Sequence, residues 1–242
     1  MEKTVTEAIN YRRSVRVYKN EAIDSEKVKQ CLENAALAPT SSNLQLWEFY
    51  HVTDKSILKK LASACFDQPA AKTAQELVVI VTRKDLWKNR AKANINFLND
   101  SFNKPNLEDD LAKRKKMATD YYKKLIPTIY ADFLGILGCI KYVVFQIIGL
   151  FRPIYRQTRL SDMRIVAHKS AGLAAQNFMI SMAAIGYDTC PMEGSDTLRV
   201  KRILKLPRGS EINMIIACGI REKNGVYGPR FRVPFTEVYN KV

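Results

Sequence analysis

The sequence is poor in the side chains that usually bind metal ions or form catalytic triads. Only two of its 242 residues are histidine, and its five cysteines are scattered without a CxxC spacing. His51 and His168 have no neighbours at a spacing typical of a metal site or a triad. We therefore expect no metal site and no disulfide framework, and the unpaired cysteines fit a reducing compartment.

Motifs for phosphate loops and for export are also missing. The sequence contains no GxGxxG after a predicted strand and no GxxxxGK[ST], so the common dinucleotide and nucleotide folds lose support. Residues 1–7 lack the basic start and apolar run of a signal peptide. The composition, 47% hydrophobic and 26% charged, is typical of one globular domain. These features predict a cytoplasmic protein.

Acidic residues are scarce: the sequence has 24 Asp and Glu against 39 Lys and Arg, which gives a net charge of +15. Residues 83–164 alone carry 17 basic and 8 acidic side chains. Such an excess can serve nucleic acid, anionic lipid or small phosphate compounds. The run Lys113–Lys116 indicates a solvated helix face. No nucleic-acid-binding motif accompanies the charge, so nucleic-acid binding is the weakest hypothesis.

Hydrophobic periodicity predicts a mixed α+β domain, because helices alternate with few strands and no regular βαβ rhythm is present. A mostly helical pattern runs from Arg83 to Lys124. Ser195 is the expected N-cap of the last predicted helix. Helices are predicted at Val5–Asn10, Asp24–Ala36, Asp54–Cys65, Lys169–Gly186 and Ser195–Leu206, and strands at Trp47–Thr53, Leu77–Thr82 and Asn213–Ile220.

Four separated segments together carry a specific signal. They are Arg12-Arg13-Ser14-Val15-Arg16-Val17-Tyr18, Ala38-Pro39-Thr40-Ser41-Ser42-Asn43-Leu44-Gln45-Leu46-Trp47-Glu48-Phe49, Cys190-Pro191-Met192-Glu193-Gly194 and Gly228-Pro229-Arg230-Phe231-Arg232-Val233-Pro234. In this order and at these distances they resemble the FMN-dependent nitroreductase family. The resemblance spans the chain as one domain, 1–242, apart from an insertion at about 83–162.

The resemblance implies a three-layer α+β fold, with a mostly antiparallel sheet between helices, and a homodimer with two flavins at its interface. It also implies a ping-pong reaction: NADH or NADPH passes hydride to FMN, and an electron-poor small molecule such as a nitroaromatic or quinone then accepts it. No side chain need act as nucleophile, so no catalytic residue is assigned.

The resemblance further implies which residues hold FMN. Arginines suit its phosphate, because the planar guanidinium donates two parallel hydrogen bonds. Arg16 falls where the family places a cation beside the flavin pyrimidine ring, and Pro39–Asn43 matches the loop supplied by the partner subunit. The Gly194 N–H is expected near flavin N5. The expected cofactor-binding residues are Arg12, Arg13, Ser14, Arg16, Pro39, Thr40, Ser41, Asn43, Gln68, Pro191, Met192, Glu193, Gly194, Arg230 and Arg232.

Two positions depart from the family pattern. Leu46 stands where a proline is common, so a less rigid loop is expected. The stretch Asp67–Lys72 does not align cleanly with the family segment that supplies an amide or lysine to the ring, and Gln68 is the candidate there. Trp47 and Phe49 are expected in the core, and Cys190 is expected to be a buried, inert thiol.

The apolar segment Phe133–Phe151 is the most unusual part of the insertion, since Lys141 is its only charge. Nineteen helical residues approach the thickness of a bilayer core. A complete crossing would nevertheless separate the flavin residues on its two sides. Three hypotheses stay open: a lid over the active site, a hairpin dipping into one leaflet, or an interfacial anchor with basic flanks on an anionic membrane.

Overall fold

The structure is a computed structural model that describes residues 2–102, 109–133 and 135–242. Residues 103–108 of the predicted helical stretch and residue 134 of the apolar segment lie outside the described part. The helices are α1 Val5–Tyr11, α2 Ser25–Ala36, α3 Lys55–Ala64, α4 Pro69–Thr73, α5 Trp87–Ser101, α6 Asp109–Asp120, α7 Ile126–Tyr130, α8 Ile136–Ile148, α9 Leu160–Ala184, α10 Thr197–Ile203 and α11 Phe235–Val238. The strands are β1 Trp47–Val52, β2 Glu76–Thr82, β3 Asp188–Met192 and β4 Glu211–Gly219.

The four strands form one sheet in the order β1-β2-β4-β3, and every neighbouring pair is antiparallel. All seven residues of the inner strand β2 are buried, because helices cover both faces of the sheet. Strand β3 lies at an edge and contains Pro191. An edge strand tolerates proline, since one side of its backbone needs no ladder hydrogen bond.

Alternate residues of β2 divide the hydrophobic core into two layers. Leu77, Val79 and Val81 pack with α3 and α10 on one face of the sheet. Val78 and Ile80 pack with α2 and α9 on the other face. The predicted three-layer α+β arrangement is confirmed.

The inserted helices add a third, smaller core beside the sheet. Leu44 and Leu46 from the loop before β1 pack there against Ile126 and Tyr130 of α7 and Met163 of α9. The Lys113–Lys116 run lies on α6, where most of its side chains are exposed. This agrees with the predicted solvated helix face.

Two helix boundaries predicted from sequence are wrong. Helix α9 begins at Leu160, nine residues before Lys169, because Asp162 accepts the backbone N–H of Arg159 at 3.0 Å and caps the first turn. Asp196, and not Ser195, caps α10 by accepting the N–H of Arg199 at 3.1 Å. The carboxylate of Asp196 stands one residue closer to the first helical turn.

The helix within the apolar segment is short. Helix α8 has 13 residues, because Gly135 adopts a left-handed φ of 82° before it and Gly149 ends it. Within the described ranges, no helix is long and apolar enough to cross a membrane. Most of the apolar side chains of α8 are nevertheless exposed, including Ile136, Ile140, Val143 and Ile147.

Candidate functional site

Three of the four sequence segments meet at the open edge of β3. The chain leaves α1 at Tyr11 and runs alongside β3, where the Val15 N–H donates to the Thr189 carbonyl at 3.1 Å. Ser14 forms a parallel bridge with the same residue. This pairing brings Arg12, Arg13 and Arg16 beside the Cys190-Pro191-Met192 segment.

An ion pair at the carboxyl end of β4 fixes this arrangement. Asp188, almost fully buried, accepts a hydrogen bond from the Arg221 Nε at 2.8 Å. The Arg221 guanidinium also donates to the Tyr11 carbonyl at 3.3 Å and lies 4.2 Å from the centre of the Tyr11 ring. Sequence reasoning missed both charged residues, because they lie 33 positions apart and belong to no motif.

The last segment, Gly228–Pro234, returns across the end of α1. The guanidinium of Arg230 donates to the carbonyls of Asn10 at 2.9 Å and Arg12 at 2.6 Å. Arg13 in turn donates to the Gly228 carbonyl at 2.8 Å. These bonds use backbone acceptors, so they hold the segment without neutralising its charge.

The result is a cavity of about 290 Å³ with a strongly positive lining. In the described part of the chain, no acidic side chain forms an ion pair with any of its arginines. Burial, and next the charges of Arg230 and Arg232, lower the pKa of Arg12. Like charges held together in this way indicate an anion site. The lining includes Arg12, Arg13, Ser14, Arg16, Arg230 and Arg232.

The residues after β3 lie beside the predicted amide. The Gln68 side chain donates to the Gly194 carbonyl at 2.9 Å. The preceding residues, Phe66 and Asp67, adopt left-handed φ values of 58° and 53°, a conformation that is rare outside glycine and often marks functional sites. Pro191 and Met192 belong to β3, whereas Glu193 and Gly194 are exposed beyond it. Gln68 therefore lies beside Gly194, and its place at the flavin ring stays a prediction.

The loop Pro39–Asn43 is held elsewhere on the same chain. Beyond its own turn and the adjoining Leu44 and Gln45, its hydrogen bonds within the described residues go to the inserted segment and to α9, and none reaches the arginine cavity. Ser41 N–H donates to the Ser170 hydroxyl at 3.4 Å. Asn43, whose side chain was expected at the flavin, pairs with Asn94 of α5. The single chain thus brings together three of the four segments.

The expected burial of Trp47, Phe49 and Cys190 agrees with the structure. Trp47 is buried, and its ring stacks 6.3 Å from the partly buried Phe49. Cys190 is fully buried, and burial raises the pKa of its thiol. His51 bonds to Glu76 at 2.6 Å, and His168 lies 3.4 Å from Glu211. The described ranges contain no group of three potential metal ligands.

A larger cavity, of about 570 Å³, lies beside α3 and α4 and is lined by none of the predicted flavin residues. Its charged lining residues are Lys55, Lys59, Lys72 and Asp67. We place the candidate site in the smaller cavity, because five arginines and no acidic residue line it.

Comparison with known proteins shows which chains this one is similar to. Residues 9–220 match the family model described as the Nitroreductase family. The Bacillus subtilis protein MhqN, named as a candidate NAD(P)H nitroreductase, is 27% identical over 236 residues that cover 96% of each chain.

Solved structures share the fold. The Bacillus subtilis protein YdfN, described as a candidate nitroreductase, has a TM-score of 0.73 and 24% identity and covers 98% of both chains. A candidate nitroreductase of Exiguobacterium sibiricum, solved in complex with FMN, has a TM-score of 0.67 and 20% identity, with 99% of this chain and 98% of that chain covered.

Proposed function

Because the chain belongs to the Nitroreductase family, we propose that it is an FMN-dependent oxidoreductase that uses NAD(P)H to reduce an electron-poor small molecule. The observation that carries the proposal is the cavity of unpaired arginines at the edge of β3. Related proteins point the same way, since one structure of the same fold holds FMN and the name of MhqN specifies NAD(P)H.

The donor set in the cavity fits the phosphate of FMN. A phosphate carries close to two negative charges, and guanidinium groups bind it through paired charge-assisted hydrogen bonds. Arg12 is the best-placed anchor, because it is half-buried and a bound anion would offset the repulsion from Arg230 and Arg232. Arg16 lines the same cavity and would favour negative charge on a reduced cofactor.

Gln68, Glu193 and Gly194 would face the ring end of the cofactor. Bound FMN would supply the redox chemistry, accepting hydride from NADH or NADPH and passing it to a nitroaromatic or quinone in a ping-pong sequence. The protein's own residues bind and orient the cofactor, and no side chain serves as a nucleophile.

We further propose a homodimer in which the partner subunit supplies Pro39–Asn43. Two observations support it. The loop lies apart from the arginine cavity of its own chain, and the C-terminal arm 229–242 exposes large apolar side chains. Exposed apolar residues on an arm indicate a covering surface in the assembly. They include Phe231, Phe235, Val238 and Tyr239.

The decisive experiment is the visible spectrum of the purified protein with FMN, before and after anaerobic addition of NADH or NADPH. We expect an oxidised-flavin absorption band that is bleached by NADH or by NADPH.

A substitution tests the role of the cavity. Arg12→Ala should weaken FMN binding at least about tenfold, since a charged hydrogen bond contributes roughly 1.5–3 kcal/mol. Arg114→Ala, an exposed arginine of α6, is the matched control. A protein that binds no FMN, or an Arg12→Ala variant that binds it normally, would overturn the proposal.

A second candidate function concerns location. The apolar face of α8 is exposed, and cations flank it in the sequence: Lys123 and Lys124 precede it, Arg152 follows it, and all three are exposed. An apolar helix face flanked by cations is what peripheral binding to anionic lipid requires. We propose that α8 docks this enzyme on an anionic membrane surface.

Vesicle flotation tests the docking. Wild-type protein should float with vesicles containing about a third of anionic lipid and far less with neutral ones, since each cation near the surface contributes about 1 kcal/mol. Ile140→Glu should abolish flotation, while Leu198→Glu, on exposed α10, should not. If Ile140→Glu floats as well as a floating wild type, α8 is not the docking element. A wild-type protein that does not float would reject the lipid surface in favour of a lid or a protein contact.

A further inference from the structure

The loop before β1 holds a costly backbone conformation without glycine. Ser42, Asn43 and Gln45 adopt φ values of 55°, 49° and 47°. These lie in the left-handed region, which glycine, asparagine and aspartate tolerate and which is costly for serine and glutamine. No proline stiffens the chain between Thr40 and Leu46. A conformation of this kind persists only when surrounding contacts impose it.

Asn94 of α5 supplies one set of such contacts. Its side-chain amide donates to the Asn43 carbonyl at 3.0 Å, and its side-chain oxygen accepts from the Asn43 amide at 2.9 Å. This reciprocal pair fixes both the backbone and the side chain of Asn43. Asn94 is itself fixed, because its amide also donates to the Arg90 carbonyl one turn earlier at 2.9 Å.

Two consecutive tyrosines supply the second set. Tyr121 and Tyr122 open a π-helical turn, Tyr121–Leu125, between α6 and α7. Short π-helical turns within helices are frequent at functional positions. The Tyr121 hydroxyl lies 2.6 Å from the Ser42 hydroxyl, and the Tyr122 hydroxyl donates to the Ser42 carbonyl at 3.1 Å. Their rings meet edge to face at 5.3 Å.

The clamp formed by Asn94, Tyr121 and Tyr122 rests on a packed base. Leu44 and Leu46, at the end of the loop, are buried with Ala91 of α5 and Ile126 of α7. The loop and the clamp therefore share one small core. Movement of the inserted helices would move the loop with them.

We infer that the insertion positions the Pro39–Asn43 loop for the flavin, and that Asn94 and Tyr122 are its positioning residues. The inference rests on the proposed function, since the loop is assigned to the cofactor of the partner subunit. The inserted segment thus contributes to cofactor affinity through its contacts with Ser42 and Asn43. No direct contact between these two residues and the reacting atoms is needed.

The test compares Asn94→Ala with Asn96→Ala, an exposed asparagine on the same helix with no hydrogen bond among those of the described residues. We expect Asn94→Ala to raise the FMN dissociation constant about tenfold, the ratio expected for loss of one or two hydrogen bonds, and to change the visible circular dichroism of bound flavin. Asn96→Ala should match wild type in both measurements. Thermal unfolding without FMN should differ little between the two variants.

Tyr122→Phe keeps the ring and removes only the hydroxyl, so it serves if Asn94→Ala does not fold. It should weaken FMN binding by a smaller factor, about threefold, for one hydrogen bond lost. If Asn94→Ala and Tyr122→Phe bind FMN with wild-type affinity and dichroism, the clamp has no positioning role.

Hydrogen exchange separates failure of this inference from failure of the proposed function. Amides of residues 41–45 should exchange faster in Asn94→Ala than in Asn96→Ala without any cofactor. A wild-type protein that binds no FMN would refute the proposed function alone. Equal exchange in the two variants would refute the clamp even if FMN binds.

Discussion

Burial controls the chemistry of single residues most clearly at the five cysteines. Cys31, Cys65, Cys190 and Cys218 are buried, whereas Cys139 is exposed on α8. Burial raises the pKa of Cys31 and of Cys65 to about 11 and raises the pKa values of Cys190 and Cys218 as well. Thiolate is the reactive form, so a raised pKa and a closed surface both suppress reaction.

We therefore predict that N-ethylmaleimide labels one thiol of the native protein at neutral pH. Intact-mass measurement should show a single adduct on Cys139, and Cys139→Ser should show none. Unfolding in guanidinium chloride should expose all five cysteines and give five adducts. Rapid labelling of native Cys190 would contradict its assignment as an inert core thiol and would require a mobile β3 edge.

At the scale of single elements, a carboxylate decides where α9 begins. The Arg159 side chain hydrogen-bonds to Asp162, and this contact is the main cause that lowers the pKa of Asp162. A carboxyl with a lowered pKa stabilises the fold when ionised. That contribution is complete above the pKa of the unfolded chain, about 3.9, and is lost as the pH falls through the lower folded value.

Asp162→Asn should accordingly lower the free energy of unfolding at pH 7. The difference from wild type should shrink as the pH falls below about 4, the pKa of the carboxyl in the unfolded chain. Urea unfolding at a series of pH values measures the difference from wild type. Asp110→Asn, on an exposed position of α6, is the control and should change little. A deficit that stays constant down to the lowest pH would show that the charge of Asp162 is irrelevant.

The same element shows where sequence reasoning stops. Periodicity located the second half of α9 because Ala171, Ala174, Ala175 and Phe178 are all buried on one face. The first half, 160–168, is mixed in polarity, and a cap formed by a side chain three residues into the helix gives no apolar signal.

In the candidate site, too, some residues could be found from the sequence and others could not. The motif residues and their order predicted that Arg12, Arg16 and Arg230 share a site, and the structure places all three in one cavity. The roles of these arginines, of Gln68 and of the Pro39–Asn43 loop toward FMN stay predictions. Asp188, Arg221, Asn94 and Tyr122 escaped notice because their roles depend on contacts between distant parts of the chain. A single sequence has no signal for contacts of that kind.

At the scale of the whole molecule, the basic residues behind the net charge of +15 fall into two groups. A few arginines, including Arg12 and Arg230, converge on one cavity. The larger share lies in and around the insertion, much of it on exposed helix surfaces. In our proposal, the first group binds one small anion, and the second governs how the enzyme interacts with charged surfaces.

The proposed dimer requires an apolar surface that a second copy can cover, and α9 provides one. Ile165, Gly172 and Leu173 lie on its exposed side at helical spacing. A Cβ added at Gly172 would meet nothing within 4 Å in the single chain, so another helix has room to approach there. The opposite face of α9 packs against α2 and the sheet.

We predict that Leu173→Glu converts the dimer to a monomer, because it would bury a charge in that contact. Leu198→Glu places the same change on α10, behind the other face of the sheet, and should stay dimeric. Sedimentation velocity gives the mass, and flavin titration gives a second readout. The monomer should lose most of its FMN affinity, since Pro39–Asn43 of the partner would no longer reach the arginine cavity. If Leu173→Glu is monomeric and binds FMN normally, each chain completes its own site. If Leu173→Glu stays dimeric, the interface does not include this face of α9.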